Sequence, residues 1–254
     1  MIRYAALPAE PEPLADGAQM PAHNLVVVYE TDPDVAAAVL PRPLVPAEPQ
    51  VRITFGQVDM PGADEPLGAG TVAVRCRHGD IDGFYDLLMI MNREPAVVGG
   101  RETFGEPKKL GHATLHHDGR SVVGVMGRQG VDLVEVRGTV AEELEPQPFN
   151  ERYAFYFKFL LDPQGGGFDS DPMLVHVRRG QQDRVRQRID ADLTLRDSRF
   201  DPIADLPVRR VLSTVYTESF QTQSGTLVER VPAEWIWPFR HQRYDGLMAR
   251  LQPA

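Results

Sequence analysis

Short runs in which apolar side chains alternate with polar ones, or follow one another without a break, recur along the chain. Such runs are typical of β-strands, half-buried where they alternate and fully buried where they do not. From residue 114 onward, glycine-containing turns at Asp118-Gly119 and Arg128-Gln129-Gly130 separate further strand-like segments. The other predicted strands cover residues 24–31, 51–55, 72–76, 84–91, 153–161, 173–178, 186–195 and 226–231.

Helix signals are confined to three segments. Asp32-Pro33-Asp34 supplies an N-cap, a first-turn proline and an acidic first turn for a short helix that ends near Leu40. Residues 94–104 form a second predicted helix, and the tail at residues 243–251 a third. Many short strands with few helices predict an α+β protein, mainly antiparallel β, built as a barrel or sandwich with flanking helices.

The composition is that of an ordinary globular protein, with 42% hydrophobic and 25% charged residues among 254. Residues 1–22 are rich in proline and alanine and are expected to form an irregular arm. Residues 23–254 show neither an internal repeat nor a low-complexity linker. We therefore expect this part to fold as a single domain.

The cysteine count and the net charge limit which cell compartment and which binding partners are expected. The only cysteine, Cys76, excludes an intramolecular disulfide and is typical of a reducing compartment. No signal-like leader opens the chain, and no apolar run has the length of a membrane span. With a net charge of −9, we expect a cytoplasmic protein that binds neither nucleic acid nor membranes. The one compact basic stretch, residues 178–188, is interpreted as a solvated loop and strand edge.

The basic residues are unevenly divided between arginine and lysine. Of 27, 24 are arginine, and the only lysines are Lys108, Lys109 and Lys158. Arginine stays protonated and cannot act as an amine nucleophile, whereas lysine can lose its proton when it is desolvated. The side-by-side lysines between Pro107 and Leu110 are therefore the strongest candidate for chemistry. An exposed basic turn is the alternative interpretation.

A lysine attacks a ketone only through its neutral amine, which is a minor species in water at neutral pH. Apolar surroundings and a neighbouring cation both favour the neutral form. For Lys108, the predicted buried strand at residues 84–91 would supply apolar surroundings and Lys109 the second positive charge. The resulting iminium would permit loss of CO2, aldol chemistry or dehydration. The side chains expected to line the pocket are Met89, Ile90 and Phe104.

The motifs around the lysine pair resemble the signature of the acetoacetate decarboxylase family. That signature combines a Glu-Pro-Ala segment, a Gly-Arg-Glu helix and a Pro-Lys-Lys turn, and all three occur here in order. Together these spaced motifs are fairly specific, whereas Pro-Lys-Lys alone is not. The resemblance extends over most of the chain. The matching segments are residues 28–32, 94–96, 100–102, 107–109 and 205–208.

The resemblance implies a cone-like antiparallel β-barrel, a homo-oligomer, and a reaction on a small keto acid without any cofactor. It also implies that Lys108 forms the Schiff base. Lys109, Arg101 and Glu102 would be supporting residues, with Lys109 either tuning the pocket or pointing away from it. Activation of the lysine by a neighbouring cation is already established for acetoacetate decarboxylase. The activation of Lys108 described above therefore agrees with a known case and is not an independent prediction.

The chain departs from the family at several positions. Decarboxylating members carry glutamates at the positions of Thr54 and Ala69, and an arginine near the position of Ala22. They have an aromatic residue where this chain has Glu106. Carboxylates close enough in sequence to replace the missing glutamates are Asp59, Asp64 and Glu65.

These departures leave three functions open. The first is a Schiff-base lyase of the acetoacetate decarboxylase type that acts on a small keto acid. The second is an aldolase-dehydratase of the same superfamily, which uses the same lysine without decarboxylation. The third is a barrel that binds a small ligand without turning it over.

Glu106 is a candidate catalytic residue in its own right. A carboxylate two residues from the nucleophile could shuttle protons to the carbinolamine or the enamine. The alternatives are an exposed turn residue and a salt-bridge partner of Lys109.

Two other patterns do not predict a site. His112 and His116 are four residues apart, but the surrounding sequence predicts a strand and offers no third ligand, so no metal site is expected. Gly165 to Gly167 lack the Lys-Ser/Thr of a phosphate-binding loop and are interpreted as a hairpin tip.

Overall fold

The structure is a computed structural model that describes residues 20–59 and 65–245. Residues 1–19, Asp64 and the predicted helical tail beyond Asp245 lie outside the described residues. The first strand begins at Met20, within the stretch expected to be irregular. The single domain and the homo-oligomer stay predictions.

Strands make up most of the described chain. They are β1 (Met20–Glu30), β2 (Val45–Val58), β3 (Leu67–His78), β4 (Ile81–Met91), β5 (Lys108–Leu110), β6 (His112–Asp118), β7 (Ser121–Arg128), β8 (Val131–Glu143), β9 (Asn150–Lys158), β10 (Met173–Leu195) and β11 (Arg210–Arg230). The helices are α1 (Pro33–Ala38), α2 (Glu94–Phe104), α3 (Ala233–Ile236) and α4 (His241–Tyr244), with 3-10 turns at Ile203–Asp205 and Trp237–Phe239. None of these described helices is long and apolar enough to cross a membrane.

Seven strands close into a barrel in the order β11-β1-β2-β3-β4-β9-β10, and the ring is completed where β10 pairs with β11. Neighbouring strands run antiparallel except β4 and β9, which share a short parallel ladder. The predicted α+β fold, a mainly antiparallel β-barrel with a few flanking helices, is confirmed.

The basic stretch at residues 178–188 is not a solvated loop, and that interpretation was wrong. It lies inside β10, a single strand of 23 residues that pairs with β11 along this whole stretch. On its other edge, β10 pairs with β9 up to Gln181 and with β8 from Gln187 onward. The polar residues suggested a loop, but alternate side chains here face the barrel interior rather than water.

A flanking sheet of β8, β7 and β6 extends from the far half of β10 and packs over the outside of the barrel. The main hydrophobic core lies between the two, with Ile53 and Phe55 from the barrel and Met126 from the flanking sheet all fully buried. Burial of a side chain of this size contributes about 1.5–3 kcal/mol to the free energy of unfolding.

The side chains on the two faces of β2 serve different purposes: one face packs into the main core and the other faces the barrel interior. Val51, Ile53 and Phe55 point outward into the main core. Arg52 and Thr54 alternate with them and point into the barrel. Because side chains alternate along a strand, one segment can serve both purposes.

The first two helices confirm the sequence signals. α1 begins where the Asp32 carboxylate accepts hydrogen bonds from the N–H groups of Asp34 and Val35 at 2.9 and 3.4 Å. α2 spans the predicted Glu94–Phe104 and lies beside the barrel interior, where it carries the chain into the lysine pair.

Candidate active site

The barrel encloses a cavity of about 510 Å³, a volume typical of small-molecule sites. Alternate residues of β2, β3 and β4 form much of its wall, and one face of α2 covers part of it. The charged side chains that line the cavity are Arg52, Asp86, Lys108, Arg152 and Arg179.

A tight turn after α2 brings Lys108 to this cavity. The helix ends at Gly105, whose φ of 80° is left-handed and whose N–H donates to the carbonyl oxygen of Arg101 at 3.1 Å. A Cβ at Gly105 would lie 2.6 Å from backbone atoms of Lys158, so both conformation and space require glycine. Lys108 then opens β5, which runs parallel to β4 with Lys108 opposite Met89.

The Lys108 amine contacts a carboxylate. Its Nζ lies 2.7 Å from Oε2 of Glu106, whose side chain is completely buried. Nη2 of Arg179 donates to the other oxygen of the same carboxylate, also at 2.7 Å. Glu106 is therefore neither an exposed turn residue nor a partner of Lys109. Its carboxylate can accept a proton from the Lys108 ammonium while Arg179 holds it in place.

The hydrogen bonds continue from Arg179 to a second carboxylate. Nη2 of Arg179 also donates to the hydroxyl oxygen of Tyr156 at 3.0 Å, and that hydroxyl donates to Oδ2 of Asp86 at 2.5 Å. Burial raises the pKa of Asp86 above its usual value, although the charge of Arg179 and the hydrogen bond from Tyr156 oppose the shift. The cavity thus holds two carboxylates that are joined through one guanidinium.

Lys109 does not point into the cavity. Because side chains alternate along β5, it faces the other way, and its buried amine lies 2.7 Å from Asp201 and 2.8 Å from Asp245. Arg128 pairs with the same two aspartates. The cation that contacts Glu106 next to Lys108 is Arg179, so the expectation that Lys109 provides the neighbouring charge is corrected.

The other predicted site residues divide between the cavity and its surroundings. Met89 and Phe104 line the cavity, but Ile90 packs into the main core from the opposite face of β4. The Arg101 guanidinium stacks 5.1 Å from the ring centroid of Tyr244, and Glu102 is exposed. Neither of these two supporting candidates lines the cavity.

Several cavity residues had no counterpart in the sequence-based prediction. One faint signal was available for Asp86, the only charged residue in an otherwise apolar run. A charge within a buried strand requires a partner, and Tyr156 and Arg179 provide that environment. The unpredicted cavity-lining residues are Arg52, Asp86, Arg152 and Arg179, and the unpredicted Tyr156 lies buried behind them.

The two histidines that were considered as metal ligands do not lie together in a site. Nε2 of His112 lies 2.7 Å from a carboxylate oxygen of Asp132, and His116 is exposed. Within residues 20–59 and 65–245, no group of three or more His, Cys, Asp or Glu side chains is arranged to hold a metal ion. Gly165 and Gly166 lie in the connection between β9 and β10, at positive φ.

The family model described as "Acetoacetate decarboxylase (ADC)" matches residues 5–231. The chain belongs to the acetoacetate decarboxylase family. An acetoacetate decarboxylase of Burkholderia vietnamiensis is 31% identical over 196 residues, which cover 74% of this chain and 78% of the relative. The resemblance predicted from the motifs is confirmed.

Solved structures share the acetoacetate decarboxylase fold with this chain. The acetoacetate decarboxylase of Legionella pneumophila has a TM-score of 0.75 at 18% identity and covers 90% of this chain and 94% of its own. The enduracididine biosynthesis enzyme MppR was solved with the condensation product of pyruvate and imidazole 4-carboxaldehyde. It has a TM-score of 0.69 at 18% identity and covers 82% and 88%.

Two of the departures from the acetoacetate decarboxylase family lie on the cavity wall. Thr54 and Ala69, which occupy the positions matched to family glutamates, both line it. Asp59 and Glu65, two of the suggested replacements, are exposed and do not line it. The carboxylates nearest to the lysine are Asp86, on the cavity wall, and Glu106, in contact with Lys108.

Proposed function

We propose that this protein is a carbon-carbon lyase that forms a Schiff base between Lys108 and the keto group of a small keto acid. One observation carries the proposal: the Lys108 amine lies in the barrel cavity at 2.7 Å from a fully buried carboxylate. Membership of the acetoacetate decarboxylase family supports it.

The first step would be transfer of a proton from the Lys108 ammonium to Glu106. The neutral amine then adds to the keto carbon, and the carbinolamine oxygen leaves as water after it takes up two protons, one from the amine nitrogen and one from Glu106. The iminium attracts the electron pair of the adjacent carbon–carbon bond. In a decarboxylation, CO2 leaves and an enamine remains, which is protonated on carbon before hydrolysis releases Lys108.

A second outcome, aldol condensation followed by loss of water, is favoured by a specific observation. The cavity wall carries Thr54 and Ala69 where decarboxylating members carry glutamates. In this route, the enamine of the Lys108 adduct would attack an aldehyde. Both routes begin with the same adduct, so they differ only in the fate of that adduct.

Reductive trapping tests the common step. Wild-type protein incubated with pyruvate or acetoacetate and then reduced with borohydride is expected to gain the mass of one reduced adduct on Lys108. Since Lys108 and Lys109 are adjacent, fragmentation of the modified peptide between the two assigns the site. CO2 release would select decarboxylation, and condensation without CO2 would select the aldol route. No adduct with any keto acid would favour the ligand-binding barrel.

Gly100 of α2 offers a test of the amine's position. A Cβ at Gly100 would lie 2.5 Å from Nζ and Cδ of Lys108 and would also clash with Glu106, whereas a Cβ at Gly99 would meet nothing within 4 Å. Gly100→Ala is expected to displace the amine and lower kcat/KM by about 10- to 100-fold, because small misplacements of reacting groups are costly. The thermal unfolding midpoint should change little, since all three atoms that must move belong to side chains and none to the backbone.

Gly99→Ala is the matched control, one residue away on the same helix. Gly99 also lines the cavity, but its Cβ would meet nothing within 4 Å, so kcat/KM should stay within about twofold of wild type. Turnover is measured with the keto acid that gives the trapped adduct. Equal activity in the two variants would mean that the close contact at Gly100 does not position the nucleophile.

A further inference from the structure

Two guanidinium groups in the cavity have no carboxylate in direct contact, although the charge of Asp86 acts on both from a greater distance. Among the described residues, no carboxylate lies within ion-pair distance of Arg52 or Arg152, unlike Arg179, which pairs with Glu106. Arg152 donates to the neutral side-chain oxygen of Gln181 at 3.2 Å, and Arg52 lies 5.6 Å from the ring centroid of Phe84. A partly buried cation without a contacting counter-ion is costly, so a bound anion would stabilise this pair.

The two groups also influence each other. Burial lowers the pKa of Arg52 to about 10, and burial together with the charges of Arg52 and Arg179 lowers the pKa of Arg152 well below its usual value. Bound negative charge would relieve both effects, since it compensates the desolvation and the repulsion.

The net charge of the cavity side chains favours a ligand with two negative charges. Its cationic groups are Lys108 and the three arginines Arg52, Arg152 and Arg179, whereas its carboxylates are Asp86 and Glu106. At least two positive charges therefore remain uncompensated, and transfer of a proton from Lys108 to Glu106 does not change that total. A keto acid with one carboxylate neutralises only one of them. A second carboxylate would neutralise the other.

The register of the barrel separates the arginine site from the reacting amine. Lys108 lies in the same cross-strand row as Met89, Thr71 and Thr54. Arg52 lies two residues further along β2, which corresponds to about 6–7 Å along the strand. The carboxylate of a small keto acid is bonded one or two atoms from the keto carbon. A group bound by Arg52 and Arg152 would therefore lie at the far end of a longer substrate.

We infer that the substrate is a dicarboxylic keto acid whose distal carboxylate is bound by Arg52 and Arg152. The inference rests on the proposed function, because it assumes that the keto carbon reacts with Lys108. It goes further in specifying the other end of the substrate and the residues that select it.

Binding of glutarate and pentanoate, measured by isothermal titration calorimetry, tests this inference. Both acids have five carbons and neither has a ketone, so the measurement does not depend on Schiff-base chemistry. Wild-type protein is expected to bind glutarate about 10- to 100-fold more tightly, as a charge-assisted contact predicts. Arg52→Gln and Arg152→Gln should each reduce that preference to within a few fold. Equal binding of the two acids by wild-type protein would overturn the inference.

Arg178→Gln is the matched control, because Arg178 is the exposed neighbour of Arg179 on β10 and pairs with Glu151. It should keep the wild-type preference; a loss as large as in the Arg52 and Arg152 variants would overturn the assignment to those two residues. Near-UV circular dichroism verifies that each variant is folded. If a variant does not fold, the comparison of glutarate with pentanoate on wild-type protein alone decides the inference. An adduct on Lys108 without a glutarate preference would sink this inference alone. The preference without any adduct would sink the proposed function and leave only a dicarboxylate-binding site at Arg52 and Arg152.

Discussion

Lys108→Met is expected to lower turnover by at least about 10⁴-fold, since removal of a covalent nucleophile removes the pathway that depends on it. Methionine keeps most of the length of the side chain but has no amine. The same variant should give no reduced adduct on borohydride treatment. Turnover is measured with the keto acid that traps on wild-type protein, and folding is checked by the thermal unfolding midpoint.

The other two lysines are internal controls with different expected results. Lys158 is exposed, so Lys158→Met should leave both turnover and stability near wild-type values. Lys109→Met should instead lower the free energy of unfolding by about 3–5 kcal/mol, because it leaves Asp201 and Asp245 with only Arg128 as a partner. Adduct formation that survives in Lys108→Met would identify another residue as the nucleophile.

Glu106→Gln is expected to lower turnover by about 10²- to 10⁴-fold, the usual contribution of a general acid-base group. The amide keeps the shape of the carboxylate, but it cannot accept the proton of Lys108 or return it to the carbinolamine oxygen. It also removes the negative charge between Lys108 and Arg179. Single-turnover kinetics of adduct formation locate the loss in the steps that form the iminium.

Glu102→Gln provides the comparison, since this exposed glutamate of α2 lies outside the cavity lining. Its turnover should stay within about twofold of wild type, as for most surface substitutions. Glu106→Asp tests whether any loss comes from charge or from position, because it keeps the carboxylate but shortens its reach. Unaltered turnover in Glu106→Gln would show that Glu106 serves only to hold Arg179.

The strands with apolar alternation could be predicted from the sequence, and those with polar inward faces could not. β4 was predicted because its buried run is almost entirely apolar, and α2 because its proline and its length are typical of a helix. The middle of β10 and the first half of β11 carry polar side chains on the face that lines the cavity or meets solvent. Hydrophobic periodicity does not distinguish such a strand from a loop.

The site was predictable only where its residues are close together in the sequence. Glu106 and Lys108 lie within one turn, and their contact follows from local geometry. Arg179 is 73 residues from Glu106 and reaches it only because the barrel closes. The pairing of Lys109 with Asp201 and Asp245 is equally long-range. For that reason the second lysine was expected to be a pocket cation, although it lies on the reverse face of β5.

Because the two lysines point in opposite directions, the strand that carries the proposed nucleophile is held from its other face. Lys109 fastens the short strand β5 to Asp201 and to Asp245, residues that no substrate in the cavity would touch. A shift of the chain at Asp245 would therefore move the backbone that carries the reactive amine. The proposed chemistry would therefore depend in part on a salt-bridge cluster on the opposite face of the strand, which the reactants do not contact.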